Sequence, residues 1–179
     1  MKTKNWTLPN AKHSEPLDVN SNFAFENHEY IFELLTKVSP SSARELIIQF
    51  IDDYLFLKKG QMKELGYNGR HFPFDIQNSL EYLKSMAEAL MKITVVKEND
   101  GFVFDNYKPF LEIISDNGFC ENISNELNLI LLDYTILKIR ELSVEPNRHR
   151  AQSAFDNAAF MSALTDGVSK IRFIPTLDA

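Results

Sequence analysis

Two stretches of this chain, 43–57 (ARELIIQFIDDYLFL) and 123–142 (ISNELNLILLDYTILKIREL), are apolar on nearly every side of a helix. Such a helix has to be covered on nearly every side, so it belongs inside a bundle and not on its surface. With 179 residues the chain fits one domain of ordinary size. The pattern predicts a mainly α, single-domain bundle of five to six helices, with these two near its centre. The 44% hydrophobic and 25% charged fractions suit a folded domain of that kind.

The flanking sequence divides the rest. Residues 1–20 are polar, contain Pro9 and Pro16 and have no helical period, so they read as an extended arm ahead of a helical domain at 21–179. Trp6 lies in that arm; it either pins the arm to its own domain or reaches a partner, since Trp is enriched at interfaces. A first helix is expected over 22–38, on the stripe Ile31, Leu34, Leu35 and Val38, ended by Ser39-Pro40. Ser42 and Glu45 form a capping-box pair for the second helix, and Gly60 offers it an end. Asp75 is the expected N-cap of a third helix over 76–92.

Ile93-Thr-Val-Val96 and Phe102-Val-Phe104 flank an Asn-Asp-Gly turn and predict one small β-hairpin at about 93–104. A short helix at 109–115 follows, then the long one capped by Asn122. A last helix is expected over 153–166, where Ser153 and Asp156 again match a capping box and Ala154, Ala158, Ala159 and Ala163 would let a neighbour come close. Residues 171–175 form an extended tail. No internal repeat stands out.

Charge and cysteine usage bound the setting. A net charge of −6 opposes broad nucleic-acid or anionic-membrane binding. The longest apolar runs are four residues, far from the ~20 that span a bilayer. Cys120 is alone, which fits a reducing compartment, and the N-terminus lacks a secretory pattern; the expectation is a cytoplasmic protein.

Candidate site residues are few. Glu126, Asp133 and Arg140 recur every seven residues and share one side of the long helix, while Glu45, Asp52 and Asp53 line the other apolar helix. If those strips faced each other they would make a carboxylate-lined cleft suited to acid–base work or a divalent cation. The simpler expectation is that each strip is the solvent edge of a mostly buried helix. The Glu-x-x-His pairs of helical di-metal sites are missing, so no metal and no cofactor is expected. Arg148, His149 and Arg150, with Arg70 and His71 as a second basic element, could hold an anion; a solvated loop or pairing with the surplus acids competes with that.

These features suggest a non-enzymatic interaction or regulatory module acting through an acidic helical surface on a protein partner or on itself. The alternative is a pocket between helices for a small, possibly anionic ligand oriented by Arg148, His149 and Arg150. A carboxylate-based enzyme or a winged-helix DNA binder fits less well, because the helix ahead of the hairpin balances Lys84 and Lys92 with Glu81 and Glu88.

Overall fold

The computed structural model describes residues 17–20, 23–67, 74–98, 101–116, 120–144 and 146–175. Its elements run β1 (Leu17–Asn20), β2 (Phe23–Glu26), α1 (Glu29–Lys37), α2 (Pro40–Glu64), α3 (Phe74–Leu90), β3 (Thr94–Glu98), β4 (Gly101–Asp105), α4 (Lys108–Asp116), α5 (Cys120–Val144), α6 (Arg148–Lys170) and β5 (Arg172–Pro175). The molecule is thus a mainly α, single-domain bundle of six helices, and β3 and β4 form the hairpin that the Asn-Asp-Gly turn predicts.

Several boundaries differ from the sequence expectation, each for a local reason. The first helix begins at Glu29, not at 22, because Phe23–Glu26 pairs with strands on both sides. The cap of α2 is Ser39, whose side chain accepts from the Ser42 backbone N–H at 3.3 Å, with Pro40 in the first turn. That places Ser42 inside the helix and removes the Ser42–Glu45 capping box. Gly60 does not stop α2, which runs on to Glu64. Asp75 lies inside α3, and α5 starts at Cys120, ahead of Asn122. The last helix begins five residues before Ser153, capped by Asn147, which accepts from the Arg150 N–H at 3.1 Å. The extended tail folds back as β5, giving an antiparallel sheet in the order β1-β2-β5 that the sequence did not announce.

The structure also exposes a repeat that the sequence hides. The segment Phe23-Ala-Phe-Glu-Asn27 has its counterpart in Phe102-Val-Phe-Asp-Asn106. Both asparagines adopt a left-handed conformation, with φ of 60° at Asn27 and 57° at Asn106. Each turn launches a nine-residue helix, α1 or α4. Each of those is followed by a 25-residue helix, α2 or α5. The long helices share Asp-Tyr-x-x-x-Lys, as Asp53-Tyr54 with Lys58 and Asp133-Tyr134 with Lys138. Lys92-Ile93 and Lys170-Ile171 stand at the equivalent junctions between the third helices and β3 or β5.

Burial follows the same equivalence. Ile47, Phe50, Tyr54 and Leu57 are buried on α2, and Leu127, Ile130, Tyr134 and Leu137 are buried on α5. Leu83, Met86, Ala87 and Leu90 on α3 match Met161, Leu164, Thr165 and Val168 on α6. The halves exchange partners: α1 packs on α6 and α4 on α3, while β5 completes the sheet of β2 and β3 pairs with β4. Phe32 of α1 reaches across to stack on Phe104 with ring centres 4.8 Å apart.

At the exchange between α1 and α6 the helices come very close. A Cβ on Gly167 would lie 2.7 Å from Cδ1 of the buried Ile31, so only glycine fits without a shift. The alanines expected to permit close approach contribute less: Ala154 is buried, whereas Ala159 and Ala163 are exposed.

α2 and α5 lie side by side at the centre and run in the same direction, since Asp133 meets Tyr54 and Arg140 meets Glu64 further along both chains. The expectation that both are covered all round fails for both: α2 leaves Gln49, Asp52, Phe56 and Lys59 exposed, and α5 leaves an aliphatic side. Leu127, Ile130, Tyr134 and Leu137 face the core, but Leu129, Leu132, Ile136 and Ile139 stand 57–66% exposed on the opposite side. No element among the described residues covers that face.

Candidate functional site

The polar groups between α2 and α5 form a reciprocal set. Tyr54 donates to Asp133 at 2.8 Å, and Lys58 donates to the same carboxylate at 2.8 Å. In mirror fashion Tyr134 donates to Asp53 at 2.8 Å and Lys138 at 3.0 Å. Each Asp-Tyr pair therefore supplies an acceptor to the opposite helix and a donor to it, four residues ahead of a lysine that closes the set. The phenols are almost fully buried. Burial, with the hydrogen bond and charge of the facing aspartate, pushes the acid ionisation of Tyr54 and of Tyr134 far above the ordinary tyrosine range.

Lys138 is the more deeply placed of the two lysines, with 9% of its side chain exposed, and it also contacts Glu141 at 2.7 Å. Its burial favours the neutral amine, but the hydrogen bonds it donates to Glu141 and Asp53 outweigh that and hold its ionisation above the usual lysine value. At the equivalent of Glu141 the first half has Gln61, so Lys58 answers to one carboxylate and Lys138 to two.

Beside this set a polar cleft of about 480 Å³ opens between α2, α5 and α6, lined by Gln49, Asp52, Asp53, Glu141, Arg150 and Asn157 among others. Its counterpart in the other half, between α2, α3 and α5, is about 160 Å³. There Ile76 and Leu129 stand where the larger cleft has Ala154 and Gln49. Larger apolar side chains fill one cleft and small or polar ones leave the other open. Of the cations by the open cleft, Lys138 is engaged with two carboxylates and Arg150 lies 3.7 Å from Glu141.

The residues singled out from sequence are dispersed over this frame. Asp53 and Asp133 come together across α2 and α5, though each faces a tyrosine and a lysine and not the other carboxylate. Glu126 accepts from Ser79 of α3 at 3.0 Å, and Arg140 pairs with Glu64 at 3.1 Å. Glu45 and Asp52 are exposed on α2. Arg148, His149 and Arg150 are exposed on the first turn of α6, inside the helix and not in a loop before it. Arg70, His71 and Trp6 lie outside the described residues, as does the side chain of Cys120. No group of three or more His, Cys, Asp or Glu suited to a metal ion occurs among the described residues.

The feature that sequence reasoning missed is the outer face of α5. The two halves serve as controls for each other there. Where α5 exposes Leu129, Leu132, Ile136 and Ile139, α2 carries Gln49, Asp52, Phe56 and Lys59 at the equivalent positions. The backbone accepts polar residues at three of these four places, and one half has them, with the exposed Phe56 at the fourth. The aliphatic row is a departure from the pairing of the halves, and its 3-4-3 spacing makes one continuous apolar seam about 15 Å long. The heptad spacing was visible in the sequence, but it reads equally as core.

Comparison of the chain with known protein families, with curated protein sequences and with solved structures returned no match.

Proposed function

We propose that this protein is a non-enzymatic interaction module, acting inside the cell, whose contact face is the aliphatic row of α5. The observation that carries the reading is the exposure of Leu129, Leu132, Ile136 and Ile139 together on one helix face. Isolated exposed apolar residues are ordinary, but a continuous seam of four marks a contact surface. The row is uncharged, so the acid surplus expected to attract a partner borders the contact and does not make it.

The carboxylates available to an enzymatic reading have structural occupations. Asp53 and Asp133 hold tyrosines and lysines, and Glu126 holds Ser79. The anionic-ligand reading is supported less well: the open cleft has three carboxylates against Lys138 and Arg150, and both cations already face acids. No helix among the described residues is long and apolar enough to cross a membrane.

The test exchanges the row for the residues of the equivalent positions, as Leu129→Gln, Leu132→Asp and Ile139→Lys. The full chain and this variant are immobilised side by side and exposed to extract of the source cells. The expected outcome is a specific set of proteins, added copies of this chain included, held by the native row and lost from the variant. Identical sets on both would overturn the reading. A metabolite or metal ion that raised the melting temperature of both forms alike would move attention to the polar cleft.

A further inference from the structure

The aliphatic row has a self-complementary layout. Leu129 and Leu132 precede Tyr134 by five and two residues, and Ile136 and Ile139 follow it by two and five. A second α5 laid antiparallel across the first, level at Tyr134, brings the partner's Ile136 onto Leu132 and the partner's Ile139 onto Leu129. Every exposed aliphatic of the row then meets another. This is the seam geometry of an antiparallel helix pair, in which apolar positions at alternating three- and four-residue spacing interlock.

The charges bordering the seam have the same property. Glu126, Asp133 and Arg140 run along one flank at seven-residue intervals. Glu126 stands eight residues before the centre and Arg140 six after it. In an antiparallel pair each Glu126 therefore lies within two residues, about 3 Å along the axis, of the partner's Arg140. Both are exposed, each with one neighbour in its own chain: Glu126 accepts from Ser79 at 3.0 Å, and Arg140 is 66% exposed in a surface pair with Glu64. Asp133 of the same flank is turned toward Tyr54 and Lys58 and stays out of the contact. A parallel pair would instead set this flank against the partner's opposite flank, with Asn128 and Thr135, and form no Glu126–Arg140 cross-pair. The order acid-then-base along the flank selects the antiparallel partner and supplies two cross-pairs.

We infer that the occupant of the α5 face is a second copy of this chain, docked antiparallel through α5 in a two-fold dimer. The inference rests on the reading of the row as a contact face and names what fills it. Two chains of net charge −6 repel at long range, and the row is an uncharged strip on which they can meet. One helix face is a small patch beside the ~800 Å² per partner of a standard interface, so the dimer is concentration-dependent. A two-fold axis also closes the contact, because the same patch serves both subunits and nothing remains open to extend a fibre.

The test is the mass of the full chain in solution by sedimentation equilibrium over a concentration series at low and moderate salt. The expected result is a rise from 20.6 kDa toward twice that value, at lower concentration when salt screens the net charge. The Leu129→Gln, Leu132→Asp, Ile139→Lys variant stays at one chain mass throughout, with unchanged far-ultraviolet circular dichroism. Glu126→Arg and Arg140→Glu each weaken the dimer about tenfold, and the two together restore it. A native chain at one chain mass at every concentration would overturn the inference. So would a dimer indifferent to the triple variant, or charge reversals that the double variant fails to rescue. A monomeric native chain would leave the contact-face reading to be judged by the capture experiment, which distinguishes the two failures.

Discussion

Tyr54 donates to Asp133 across α2 and α5 at 2.8 Å, and the bond is repeated with the roles of the helices reversed by Tyr134 and Asp53. Both hydroxyls are buried and their carboxylates half-buried, and a hydrogen bond to a charged acceptor contributes about 1.5–3 kcal/mol. Tyr54→Phe and Tyr134→Phe are each expected to lower the unfolding free energy by about 2 kcal/mol, and by similar amounts, because the sites are equivalent. Asp53→Ala costs more than Tyr134→Phe, since it also takes a carboxylate from the buried Lys138. Urea unfolding of the single variants checks the ranking.

The same tyrosines set a pH dependence. Their ionisation is raised in the folded state, so the folded chain keeps protons that the unfolded chain releases. Their contribution is whole below the ordinary tyrosine value near 10 and is lost as pH climbs above it. Stability is expected to fall steeply above that point, by about 1.4 kcal/mol per pH unit for each of the two groups. The Tyr54→Phe, Tyr134→Phe double variant should show a shallower alkaline slope. Thermal melts across alkaline pH, with tyrosinate absorbance followed in parallel, measure it.

Two helical glycines are expected to respond in opposite ways. Gly60 lies inside α2 with nothing within 4 Å of an added Cβ, and its equivalent on α5 is Arg140, an ordinary helical residue. Gly60→Ala should stabilise the protein by about 0.5–1 kcal/mol. Gly167→Ala gains the same helical propensity but drives a methyl to 2.7 Å from Ile31. It is expected to be destabilising, and Ile31→Val in the same chain to recover part of the loss. Melting temperatures of the four forms decide this.

Asn27 and Asn106 hold positive φ at the equivalent entries to α1 and α4. Asparagine tolerates that region better than other residues with a Cβ. Alanine at either position should cost about 1 kcal/mol, and glycine should be close to neutral. Unequal responses at the two turns would show that their equivalence is not energetic.

How much of this was legible in the sequence depended on the range of the signal. The periodicity of 43–57 and 123–142 located both central helices, and the turn at 99–101 located the hairpin, because these patterns are local. The pairing of β2 with β5 joins short strands from opposite ends of the chain, and four residues carry too little alternation to announce it. The repeat was hidden because the halves keep the register of burial and not the residue types: Phe50 answers to Ile130, and Met86 to Leu164. The Asp-Tyr-x-x-x-Lys match was the available signal. The α5 row was invisible as a surface because Leu132 and Leu127 look alike until the fold shows which of them a neighbour covers.

The most direct test of the account is urea unfolding of the Leu129→Gln, Leu132→Asp, Ile139→Lys variant at concentrations dilute enough to keep both forms monomeric. If these side chains serve an external contact and not the chain's own core, the unfolding free energy should stay within about 1 kcal/mol of the native chain. A loss of several kcal/mol, of the size that accompanies truncation of buried leucines, would show that the row is covered in the folded monomer and would contradict the account.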